Sequence, residues 1–122
     1  MESNCVFPRQ TEIDDAKDIL SYLPLMADSS HQSCRKQAKI KVLLRLKRLS
    51  DDERREAIDK ILAVFAECND PCLQNYITDI LLYQLSPDID NKLVQIAKSS
   101  NGKIAGFVKD YILGVLKRDK WK

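Results

Sequence analysis

The stretch from Asp70-Pro71-Cys72-Leu73 to Leu85 constrains the fold most, because it carries more apolar residues than one face of a helix can hold. Leu73, Tyr76, Ile77 and Ile80 follow the three-and-four spacing of a single helical stripe, while Leu82 and Leu85 fall on the opposite side of the wheel. A helix of this kind needs cover on two sides. Asp70 is a good N-cap, and Pro71 suits the first helical position, where its missing N–H removes nothing. The helix is therefore expected to start sharply out of a tight turn, as the internal helix of stacked hairpins does.

The flanking sequence extends that pattern. Residues 1–10 have no period and contain Pro8, and read as a flexible lead-in. Thr11 with Asp14 opens a short helix through Leu23, with Ile13, Ala16, Ile19, Leu20 and Leu23 on one side and Pro24 as its end or bend. Asp28-Ser29-Ser30 offers N-caps for a second helix to about Leu49. Its stripe is Ala38, Val42, Leu46 and Leu49, with Ile40 and Leu44 on another side, so it too is expected to be covered twice. Ser50-Asp51-Asp52-Glu53 is a capping box, and it leaves only a minimal turn between helices two and three. Ile58, Ile61, Leu62 and Phe65 form the buried stripe of helix three, opposite a wet face of Glu53, Arg54, Glu56, Asp59 and Lys60. Ser86-Pro87 repeats the cap-then-proline device before helix five, which carries Ile89, Leu93, Ile96 and Ala97. After the turn residues Ser99-Ser100-Asn101-Gly102, helix six places Ile104, Phe107, Val108, Tyr111 and Val115 in one stripe.

The predicted fold is all-α: a HEAT-like α-solenoid segment of about six helices in stacked antiparallel hairpins, joined by short turns. One helical-repeat domain spans residues 11–118, followed by a basic tail at 119–122. A compact helical bundle is the structural alternative. At 122 residues there is room for one domain, and only 3 Gly and 4 Pro with few β-branched alternations leave no strand pattern. No apolar run reaches the length of a transmembrane helix, and the start lacks the basic-then-apolar order of a signal peptide.

Little in the sequence points to catalysis. His31 is the one histidine, so no His-based metal cluster or Ser/His/Asp set can form around a partner histidine. Cys68 and Cys72 resemble half a zinc site without its other half. No glycine-rich phosphate loop exists, and no carboxylate stands isolated in an apolar stretch as a tuned acid would. Gly106 and Gly114 read as points of close helix approach. The expectation is a non-enzyme that needs no cofactor and no metal. Cys34 and Cys68 are level in an antiparallel hairpin of helices two and three, which allows a Cys34–Cys68 disulfide, with Cys72 as a competing partner and free thiols as the alternative.

Binding has a better signal. Helix two is basic throughout, with no acidic residue between Asp28 and Asp51, and Lys41, Arg45 and Arg48 line up on one face as candidate contacts for a partner or an anion. That face is otherwise a solvated one. The net charge of +2 and the dispersed aromatic residues argue against nucleic acid as the main partner.

The run from Cys34 onward resembles the closing part of the helical domain of the large lipid transfer proteins: vitellogenin, apolipoprotein B and the large subunit of microsomal triglyceride transfer protein. The likeness is carried by Ala38-Lys39-Ile40 to Leu49, Ala66-Glu67-Cys68-Asn69-Asp70-Pro71, Ile80-Leu81-Leu82-Tyr83-Gln84-Leu85-Ser86-Pro87 and Leu93-Val94-Gln95-Ile96-Ala97. Its most specific block is Ile104-Ala105-Gly106-Phe107-Val108, running on to Leu116-Lys117-Arg118. The resemblance implies an α-superhelical segment that wraps lipid-enclosing sheets, and a secretory or extracellular setting in which a Cys34–Cys68 bridge persists. The chain has none of the family's sheet domains, so on this reading it is a non-catalytic scaffold whose partners are neighbouring domains of a longer chain, with lipid implied by the resemblance alone. The alternative is a free-standing cytoplasmic helical-repeat adaptor that binds a protein partner in its groove.

Overall fold

The computed structural model describes residues 15–28, 30–99 and 104–120. Within them the chain forms α1 (Asp15–Tyr22), a 3-10 turn (Leu23–Met26), α2 (Gln32–Arg48), α3 (Asp51–Glu67), α4 (Pro71–Tyr83), α5 (Pro87–Ser99) and α6 (Gly106–Lys120). The described residues contain no strand, and the protein is all-α. The expected lead-in at 1–10, the Thr11/Asp14 cap and the turn at 100–102 lie outside the described residues. Helix α6 runs on to Lys120, into the stretch expected as a tail.

Local chemistry explains most helix starts. At α3 the Ser50 hydroxyl accepts the Glu53 N–H at 3.3 Å while the Glu53 carboxylate accepts the Ser50 N–H at 3.2 Å, completing the capping box. Asp51, Asp52 and Glu53 also place negative charge at the positive end of that helix. Asp70 caps α4, its carboxylate accepting the Leu73 N–H at 3.0 Å, with Pro71 in the first turn. At α5 the Ser86 hydroxyl accepts the Ile89 N–H at 3.4 Å.

The start of α2 differs from expectation. Its N-cap is His31, in extended geometry and without a side-chain cap bond. Asp28 is occupied by tertiary bonds instead: its N–H donates to the Asp70 carboxylate at 3.0 Å, and its own carboxylate accepts the Cys72 thiol at 3.3 Å. Arg35 holds the turn, its guanidinium donating to the carbonyls of Asp28 and Ser30. Asp70 thus caps one helix and fastens the segment leading into another.

Helix α4 packs against α2, α3, α5, α6 and the 3-10 turn, and Ile77, Ile80 and Leu81 are fully buried. Its two-sided cover is met, but not through Leu85: the helix stops at Tyr83, and Leu85 turns out at φ 54°, in the left-handed region. Each helix touches the next and the next but one, with α1 on α3, α3 on α5, α2 on α4 and α4 on α6. Among the described residues no more distant pair of α-helices touches, and the 3-10 turn alone reaches farther, to α4.

One core joins these elements, from Ile19, Tyr22 and Met26 through Val42, Ile61 and Phe65 to Leu93, Val108 and Ile112. The stripe expected for α3 is buried as read. The α2 stripe of Ala38, Val42, Leu46 and Leu49 is buried too, but the second cover expected for that helix is missing, since Ile40 and Leu44 face water. On α6 Ile104 and Val108 are buried, Phe107 and Tyr111 are exposed, and Ile112 takes the next buried place at four-residue spacing. Gly106 and Gly114 do not mark close approach, since a Cβ at either would meet nothing within 4 Å.

Candidate functional site

The basic face expected on α2 does not exist as one surface. Arg45 is buried, Lys41 is half-buried and engaged, and only Arg48 is exposed. The reason is register: Arg45 lies three residues after Val42 and seven after Ala38, on the stripe that enters the core. The three side chains therefore cannot meet one ligand together.

The Cys34–Cys68 bridge is likewise overturned. Cys68 and Cys72 are free, whereas Cys34 is disulfide-bonded, so Cys34 and Cys68 are not joined. Helices α2 and α3 touch only sparingly because α1 packs on both, so they are not the level pair the bridge requires. The Cys68 sulfur instead accepts the Asp70 N–H at 3.3 Å. Burial pushes the Cys68 thiol up. The Cys72 thiol is also raised, by burial first and then by its hydrogen bond to Asp28. Both are held as thiols, the less nucleophilic form.

Two open clefts lie side by side instead, and they share Leu43 and Tyr83. The larger, about 480 Å³, runs between the end of α2, the start of α3 and the turn from α4 into α5. Leu43, Ile58 and Ile89 give it apolar walls, and Tyr83 stands at its edge. Its charges are arranged in pairs. Arg54 reaches back to the end of α2, donating from Nε to the Leu46 carbonyl at 2.8 Å and from Nη2 to the Leu49 carbonyl at 2.9 Å. Its Nη1 lies 3.0 Å from the Asp51 carboxylate. A cation from α3 thus satisfies the negative end of α2 and sets the turn between them. Lys92 sits between Asp59 at 3.3 Å and Asp88 at 3.4 Å, and its ammonium pKa is raised, first by the hydrogen bond to Asp59. Lys47 and Arg55 also line the cleft, are exposed, and form no ion pair among the described residues.

The second cleft lies across α2, α4 and α6. Asp79 ties the three helices together, 3.6 Å from the Lys39 ammonium and accepting the Tyr111 hydroxyl at 2.8 Å. That hydrogen bond is the main cause of the raised Tyr111 phenol pKa, with burial and the Asp79 charge adding to it. Lys39 also stands 5.7 Å over the Tyr76 ring, a cation–π contact.

His31 is exposed, and no group of three or more His, Cys, Asp or Glu among the described residues could hold a metal ion. No helix among them is long and apolar enough to cross a membrane. The residues that build the clefts, above all Tyr83, Lys47 and Arg55, carry no sequence signal, because exposure depends on which neighbours cover a helix. Gln74 did carry one: it is a polar residue at a core position of an apolar helix, and it is fully buried. No protein-family model, no curated protein and no solved structure matches this chain.

Proposed function

We propose that this chain is a non-catalytic helical-repeat scaffold that docks a protein partner on the face formed by α2, α4 and α6. The contact order supports the scaffold: helices that meet only their nearest and next-nearest neighbours stack in two layers, α1-α3-α5 and α2-α4-α6, as in an α-solenoid. A closed bundle would bring its first and last helices together. The lipid-transfer likeness fits the same architecture, with a neighbouring domain of a longer chain as the docked partner.

One observation carries the docking face. Ile40 is 52% exposed, Leu44 53%, Tyr83 70% and Phe107 57%, all on α2, α4 and α6. Tyr83 edges both clefts, and large apolar side chains left exposed on a folded chain are the usual mark of an interaction surface.

The test places a photo-crosslinking phenylalanine analogue at Tyr83, and in a second sample at exposed Ala63 of α3, which lines neither cleft. Expressed in its native host, the Tyr83 chain is expected to yield a discrete adduct that Leu44→Glu suppresses. Equal adducts from both positions, or none, would overturn the reading.

A further inference from the structure

We infer that the cleft between α2, α3 and the α4–α5 turn receives an acidic amphipathic helix of the protein partner, its apolar ridge on Leu43, Ile58 and Tyr83 and its carboxylates on Lys47 and Arg55. The inference rests on the docking reading above, extends that face past Leu43 and Tyr83 toward α3, and supplies the chemistry of the occupant.

Charge decides the sign. Asp51 is held by Arg54, and Asp59 and Asp88 share the single Lys92, so four cations face three carboxylates in the cleft and its balance is positive. Arg54 is further committed to the carbonyls of Leu46 and Leu49. What remains for an incoming group is Lys47 on α2 and Arg55 on α3, both cationic, both exposed and neither in an ion pair among the described residues. An acidic occupant gains at both, whereas a basic one meets repulsion there.

Backbone chemistry decides the shape. The walls are helices, and the described residues offer no strand edge to which an extended peptide could add its N–H and C=O groups. A helix satisfies its own backbone and presents side chains at three-and-four spacing to an open groove that mixes apolar and charged side chains. A cleft of about 480 Å³ with apolar walls suits such a ridge. A bare polyanion such as nucleic acid fits less well, because it would leave Leu43, Ile58, Ile89 and Tyr83 uncovered.

The test uses the full chain and three fluorescein-labelled peptides of about 18 residues, long enough to form helix on binding. One is an amphipathic Glu/Leu/Ala helix, the second replaces every Glu with Lys, and the third keeps Glu but has Ala for every Leu. Anisotropy titrations should show the first binding at least about tenfold more tightly than either other peptide, and more weakly as salt rises. Lys47→Glu with Arg55→Glu should reverse the preference between the Glu and Lys peptides, with an unchanged circular dichroism melt. Methyl NMR shifts should centre on Leu43, Ile58 and Ile89. Equal binding of the Lys peptide, equal binding of the peptide without Leu, no binding at all, or indifference to the double substitution would each overturn the inference. So would self-association abolished by Tyr83→Ser, which would make a second copy the occupant. If these fail while the Tyr83 crosslink persists, the acidic helix is wrong and the docking face stands; loss of both removes both.

Discussion

Gln74 is the buried polar residue on which three parts of the chain converge. Its side-chain amide donates to the Cys68 carbonyl at 2.8 Å and its side-chain oxygen accepts the Ala105 N–H at 2.9 Å, joining the end of α3, α4 and the approach to α6. Gln74→Leu keeps the volume roughly but strands both backbone groups, and each orphaned buried group costs about 1–3 kcal/mol. The expected loss is about 2–4 kcal/mol by urea unfolding; a loss below half a kcal/mol would show that water replaces the amide. Tyr111 provides a pH-dependent counterpart. Its phenol pKa is raised by Asp79, so the hydrogen bond contributes fully below the ordinary phenol pKa of about 10 and is lost as pH rises through the higher folded value. Asp79→Asn should lower the Tyr111 midpoint toward the ordinary value in a titration of ring-carbon NMR signals. An unmoved midpoint would assign the shift to burial instead. Position 74 could be picked out in the sequence as polar among apolar neighbours, but the Asp79–Tyr111 pair could not, because its members lie on helices that only the fold brings together.

At the scale of single helices, the starts written into the sequence were those whose chemistry stays within a few residues. Ser50 with Glu53, Asp70 with Pro71, and Ser86 with Pro87 act where they were read. The start of α2 could not be read this way, since Asp28 is drawn off by Asp70 and Cys72 from far along the chain. Stripes behaved alike. The stripe of α3 is correct because α1 and α4 cover the side it faces, whereas Ile40, Leu44 and Phe107 lie beyond the cover available to α2 and α6. Gly114 yields a prediction at this scale. It sits inside α6 with open space where a Cβ would fall, so Gly114→Ala should stabilise the fold by up to about 1 kcal/mol through helix propensity alone. A destabilised variant in thermal melts would mean that the open space is filled by something docked there.

For the whole molecule, α6 packs among the described residues against α4 and α5 alone, which on the stacked arrangement proposed above makes it an end layer. Truncation after Ser99 should uncover the apolar flank of α4, increase dye binding to exposed apolar surface and promote aggregation. A soluble, fully helical truncated chain would count against the stacked reading. The sequence by itself determined the all-helical class, the positions of most helix starts and the central place of α4, because helical period and capping act over three or four residues. Tertiary structure alone decided that Cys68 stays free, and that Lys47, Arg55 and Tyr83 share a cleft. Those outcomes depend on which helix covers which face, and that is set by packing among segments far apart in the chain. The apolar stretch from Pro71 correctly required two covering layers, and which of its apolar residues would stay in water was settled only when those layers were in place.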